Sequence, residues 1–209
     1  MTRARSTVRW LVPVVWAFGM FAARRFDPWP AIAIPALIMV AAVLITDRIA
    51  MGSLFRPSIR SLSLALAAAA AMLGVTYLLF PFVTRSIPSV REQTEAIYSQ
   101  FLAGRPLAAI VAFVLPIILA EEILWRGAFQ EAVRRRSRGG SALISAAVYA
   151  AAHAPLGSAL LVAVAFICGL YWSILRERSS SLLPSLIAHV AWDLALILVP
   201  LIPSSAPVH

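Results

Sequence analysis

Glu121 and Glu122 stand side by side at the end of an apolar run, and Arg126 follows four residues after the second. On a helix Glu122 and Arg126 are i,i+4 with the acid on the N-terminal side, the better order for an ion pair. Glu121 is turned roughly 100° away from Glu122 and has no such partner. The spacing therefore separates a charge-neutral supporting pair, Glu122 with Arg126, from an available carboxylate, Glu121, suited to general acid or base work. Tyr149 and His153 are also i,i+4, an aromatic hydroxyl and an imidazole on one helix face. The three Ala residues between them let a neighbouring helix approach closely. His189 and Asp193 repeat the spacing. A carboxylate and two imidazoles from three helices can hold and polarise a water, directly or around a metal, and can stabilise an oxyanion.

The elements that must position these groups are membrane helices. The chain has 209 residues, of which 61% are hydrophobic and only 13% charged, against about 25% charged in a soluble domain. That composition excludes a water-soluble globule, a disordered tail and a collagen-like chain. The net charge of +9 comes from 18 Arg and no Lys, set in short clusters between apolar runs. It is loop charge facing anionic lipid, and it implies no nucleic-acid partner. Cys168 is the single cysteine, so there is no disulfide framework and no cysteine metal cluster.

Uncharged stretches run over 10–23, 28–46, 61–84, 106–120, 139–175 and from 179 onward, the last broken by Asp193. A crossing takes about 20 residues. The stretch 139–175 is too long for one and carries Pro155-Leu156-Gly157, a turn signal, so it reads as a helical hairpin. The total is about seven transmembrane helices, an all-α polytopic bundle. The first is read as a retained helix and not a signal peptide, because Ala22-Ala23-Arg24 is a poor cleavage site and more membrane follows. Residues 91–101 form a polar stretch that fits a short interfacial helix.

With the N-terminus inside, the cytoplasmic segments hold Arg3, Arg5, Arg9, Arg48, Arg56, Arg60, Arg134, Arg135, Arg136, Arg138, Arg176 and Arg178. The outer segments hold Arg24, Arg25, Arg85, Arg91 and Arg105. Twelve against five, with Arg126 set aside as embedded, predicts a cytoplasmic N-terminus. Counted from the cytoplasmic starts of their helices, His153 lies about 18 Å deep, His189 about 10 Å and Asp193 about 16 Å. Ionisable groups at such depth cost roughly 2.5–3.5 kcal/mol each on insertion scales and mark function.

Glu121-Glu122-x-x-x-Arg126, then Tyr149 ahead of His153, then His189-x-x-x-Asp193, in this order, resembles the CAAX-protease and bacteriocin-processing (CPBP, or Abi) family of intramembrane endopeptidases. The resemblance covers about residues 106–200, a catalytic core of transmembrane helices; residues 1–105 carry no motif and 201–209 form a short tail. It implies hydrolysis of a peptide bond in a membrane-embedded or membrane-associated peptide near the cytoplasmic leaflet, with Glu121 and His153 activating the water. His189 and Asp193 would steady the oxyanion or the water. Where the family shows Asn this chain has Asp193, and an ionised Asp donates no hydrogen bond. Asp193 is therefore either a protonated donor or a group that orients His189. Glu122, Arg126 and Tyr149 are supporting residues.

The family is described both as metalloproteases and as metal-free glutamate proteases. A divalent metal such as zinc, if bound, would be held by Glu121, His153 and His189, although no His-Glu-x-x-His pair is present. The Ala-rich, Lys-free composition points to a high-GC bacterium, which places the bundle in an inner (plasma) membrane. Two other functions fit the same buried groups: a proton- or ion-coupled transporter and a non-catalytic scaffold or immunity protein. Paired broken helices and internal repeats, the marks of many transporters, are missing from the sequence.

Overall fold

The computed structural model describes residues 8–52, 55, 57–137 and 139–202, with the backbone alone for 47–52. Arg3, Arg5, Arg56, Arg138, the side chain of Arg48, residues 203–209 of the tail and with them His209 lie outside the described residues.

A segment in hydrocarbon must satisfy its own backbone hydrogen bonds, and a single chain segment does so only as a helix. The described residues accordingly form helices and no strand. They are α1 (Val12–Ala23), α2 (Pro28–Gly52), α3 (Ile59–Ser86), α4 (Pro88–Phe101), α5 (Leu107–Glu121), a π-helical stretch (Glu122–Phe129), α6 (Gln130–Arg136), α7 (Ser141–His153), a 3-10 turn (Ala154–Leu156), α8 (Ala159–Ser179) and α9 (Leu183–Leu198). Four helical segments are long and apolar enough to cross a bilayer: Pro28–Thr46, Ile59–Ser86, Leu107–Arg136 and Ala159–Ser179. Three apolar helices are shorter, Val8–Ala23, Ser141–Leu156 and Leu183–Leu198. The polar stretch expected at an interface is α4.

The packing is that of an integral membrane protein. Leu78 is 70% exposed and Ile38 66%, while Glu122 is wholly buried and Arg126 is 2% exposed. A water-soluble chain reverses that distribution. α1 packs on α2 and α7, α9 on α3 and α8, and α5 on α2 and α9. The hairpin α7–α8 turns at Gly157, whose φ of 93° favours glycine. Ser158 then caps α8 by accepting from the Leu161 amide. Arg24 reaches this turn and donates to the Pro155 carbonyl (3.4 Å).

Loop charge segregates between the two ends. Arg134 and Arg176 line one cavity together with Gly139, Gly140 and Ser141, whereas Arg24, Arg25 and Arg105 gather with Leu156 at another.

Candidate active site

The site begins where α5 gives way to the π-helical stretch. A regular α-helix through Glu121, Glu122 and Arg126 is what the spacing predicts; instead residues 122–129 adopt the wider π turn. All eight of these residues are buried, Trp125 and Phe129 among them. Short π segments concentrate at functional sites because they redirect side chains that a regular helix would turn elsewhere. Here both adjacent carboxylates face the interior. Glu121 is 14 residues from Leu107 and 15 from Arg136, so it lies midway along this helical rod.

Two helices bring partners to Glu121, and a third brings one to His153. From α7, the Tyr149 hydroxyl donates to Glu121 Oε2 (3.0 Å), and His153 Nε2 lies 3.8 Å from Oε1. From α9, His189 Nε2 lies 3.3 Å from Oε2. From α1, Trp16 Nε1–H donates to His153 Nε2 (3.2 Å).

The partners fix the tautomer of His153, whereas His189 sets each ring nitrogen on a carboxylate. His153 Nδ1 is 2.7 Å from the Tyr149 carbonyl, which only accepts, so Nδ1 carries the proton; the indole only donates, so Nε2 presents its lone pair. His189 Nδ1 is 3.0 Å from Glu122 Oε1 and likewise donates to it. Both rings thus turn Nε2 toward Glu121. His189 is also stacked on Trp172, with ring centroids 3.6 Å apart and planes inclined by 20°.

Glu122 and Arg126 meet as the spacing predicts, Oε1 to Nη1 at 3.4 Å with both side chains at most 1% exposed. The guanidinium also lies over the rings of Tyr149 (4.6 Å) and Trp172 (5.1 Å). Glu122 does more than neutralise Arg126, because the same oxygen holds His189. Asp193 Oδ2 is 3.8 Å from His189 Nε2, beyond hydrogen-bond reach. The orientation of His189 that its helical spacing assigns to Asp193 therefore falls to Glu122 on another helix.

Trp16 and Trp172 are the contributions that the sequence did not reveal. Each is an aromatic residue in an apolar helix, which packing alone explains, and no local spacing ties either to an imidazole 137 or 17 residues away. Gly169 belongs with them. A Cβ there would stand 2.8 Å from Tyr149 Cδ1, and that ring is held by its hydroxyl on Glu121. Gly169→Ala is expected to destabilise the protein by about 1–3 kcal/mol through overpacking, read as a lower Tm in detergent, and to slow catalysis by displacing Tyr149.

In this arrangement a metal would reach His153 Nε2 only by displacing the Trp16 indole. Both nitrogens of His153 are engaged, one by Trp16 and one by the Tyr149 carbonyl. Among the described residues no group of three His, Cys, Asp or Glu side chains is set to hold an ion. The chemistry derived below therefore uses the side chains alone.

Neither a curated protein nor a solved structure matches this chain. A protein-family model does, over residues 103–195: Rce1-like, type II CAAX prenyl endopeptidase Rce1-like. This stretch contains Glu121, Glu122, Arg126, Tyr149, His153, His189 and Asp193, and it implies CAAX intramembrane protease activity in general terms. The family match and the motif order agree on the same segment, and the similarity of residues 103–195 to the Rce1-like family supports membership of the CPBP family.

Proposed function

We propose that the protein hydrolyses a peptide bond of a membrane-associated peptide, with Glu121 as general base and His153 as the second group that holds the water. The observation that carries this is the convergence of Glu121 with two imidazoles whose Nδ1 protons are committed to fixed acceptors. A water between Glu121 Oε1 and His153 Nε2, which are 3.8 Å apart, would donate one hydrogen bond to each.

As its oxygen bonds to the carbonyl carbon, one proton passes to Glu121. Collapse of the tetrahedral intermediate breaks the C–N bond, and Glu121 returns that proton to the leaving nitrogen. Tyr149 holds the Glu121 carboxylate by its hydroxyl. Glu122 holds His189 with Nε2 facing Glu121, and Arg126 pairs with Glu122 in the interior. Asp193, 29% exposed at its side chain, stands at the rim, next to where a substrate would enter. The arginine count supports only the orientation of the bundle, and Glu121, midway along the rod 107–136, supports a scissile bond near mid-bilayer. The site's depth along the rod 107–136 means that substrate reaches it from within the bilayer.

The test is cleavage in proteoliposomes of two quenched fluorescent reporters, a prenylated CAAX peptide and an unprenylated peptide on a single membrane anchor. In H2(18)O the new carboxylate of the N-terminal fragment should carry one heavy oxygen per turnover. No cleavage of either reporter, or products without the label, would overturn the assignment.

A further inference from the structure

Hydrolysis consumes one water for each bond broken, and Glu121 lies midway along a membrane-spanning rod. At the end of the bundle where α6 stops there is a cavity of about 780 Å³, lined by Arg134, Gly140, Arg176 and Glu177 among others. Its lining also includes Gln130, Ser141 and Arg126, the last only five residues from Glu121. Glu177 ties three helices together there. It accepts from the Ser141 hydroxyl of α7 and from Gln130 Nε2 (3.4 Å), which also donates to the Ser173 carbonyl of α8 (3.0 Å).

Inward from the cavity, polar side chains recur every fourth residue on two elements that pack together. Gln130, Arg126 and Glu122 lie on one, and Ser141, Ser145 and Tyr149 on α7, with α8 against both. Glu122, Arg126, Gln130, Ser145 and Trp172 are each at most 2% exposed. Each nevertheless keeps a polar atom with no hydrogen-bond partner among the described residues: Glu122 Oε2, all three guanidinium nitrogens of Arg126, Gln130 Oε1, Ser145 Oγ and Trp172 Nε1. The ion pair of Arg126 with Glu122, at 3.4 Å, leaves the guanidinium N–H donors open. Burying one polar group without a partner is costly. A run of them, holding donors and acceptors together, is the lining that buried water takes, at about three hydrogen bonds for each molecule.

We propose that this seam is the water inlet of the site: water enters at Ser141, passes Gln130 and Ser145, and is handed on from Arg126 and Trp172 to Glu121. This rests on the hydrolytic role proposed above. No more than about 7 Å of helix separates Arg126 from Glu121, a gap that roughly two or three waters span at ~2.8 Å for each hydrogen bond. Substrate and water then arrive from different sides, the peptide by the rim at Asp193 and the water between α6, α7 and α8. A bound peptide that fills the lipid side leaves the supply open.

The test begins with the native chain in nanodiscs, isotope-labelled at its tryptophans, and reads magnetisation transfer from water to the indole protons. The Trp172 N–H should show a direct water contact, and the Trp29 N–H, bonded to the Phe101 carbonyl (3.0 Å), none. Ser145→Val fills the passage and should abolish the contact at Trp172, whereas Ser145→Ala leaves it open and should keep it. Neither change removes a hydrogen bond between the Ser145 hydroxyl and the protein. With the prenylated CAAX and anchored reporters, Ser145→Val should lower kcat about tenfold, the rate equivalent of one lost hydrogen bond, at a KM within about twofold of native. Ser145→Ala should lose less than Ser145→Val does. A dry Trp172 in the native chain, a water contact that survives Ser145→Val, or equal losses of kcat in the two variants would each overturn the inference. The native measurement needs no variant, so it decides even where the valine chain melts early. It also needs no turnover: a chain hydrated at Trp172 that cleaves neither reporter ends the hydrolytic reading, and a cleaving chain that is dry at Trp172 ends the inlet alone.

Discussion

Glu121→Gln is expected to fold like the native chain and to hydrolyse reporter ~10⁴-fold more slowly, the upper end of what a positioned general base contributes. The amide has the volume of the carboxylate, its oxygen in the Oε2 position still accepts from Tyr149, and its NH2 in the Oε1 position faces the lone pair of His153 Nε2. Stability is therefore retained while the group that takes the water proton is gone. Single-turnover cleavage, read beside a melting curve in the same detergent, makes the comparison. A slowed reaction at native Tm supports the role of Glu121, and an unslowed one ends it.

Glu122→Leu is expected to have the largest effect on stability. Arg126 would be left buried with its charge uncompensated, a loss of about 3–5 kcal/mol, or a fall in Tm of roughly 10 °C for a chain of this size. The double variant Glu122→Leu/Arg126→Met removes both charges and should recover most of that fall, because apolar replacement of a whole buried pair is often neutral. It should not recover cleavage, since His189 Nδ1 would still lack its acceptor. Recovery of stability and activity together would show that Glu122 serves Arg126 alone.

These effects mark what helical spacing discloses and where it stops. An i,i+4 relation is set within one helix, so the pairing of Glu122 with Arg126 could be read from the chain and is found. The hairpin at Pro155-Leu156-Gly157 and the polar helix after residue 87 were legible for a similar reason, since turn residues and polarity act locally. The candidate residues on α5, α7 and α9 stood out because ionisable groups are rare in apolar runs.

Which atoms meet between helices is another matter. Helix rotation and depth decide that His189 turns Nδ1 to Glu122 and that Asp193, four residues along its own helix, stays 3.8 Å away. The π stretch at Glu122–Phe129 shifts the register of everything after Glu121, and no residue in that stretch announces it. Trp16 pairs with an imidazole 137 residues distant; in the sequence it is one tryptophan in an apolar helix.

Three of the helices that carry Trp16, His153 and His189 are the short ones, Val8–Ala23, Ser141–Leu156 and Leu183–Leu198. At helical rise each spans about 24 Å, less than the roughly 30 Å of an average hydrocarbon core. Compression of the lipid beside them is one way to match, at a modest cost for each ångström of mismatch. A region of thinned bilayer would then lie over the candidate catalytic groups. A peptide bond held in lipid has the shortest path to bulk water there, and acyl-chain length becomes a control on turnover that is independent of the chemistry of the side chains.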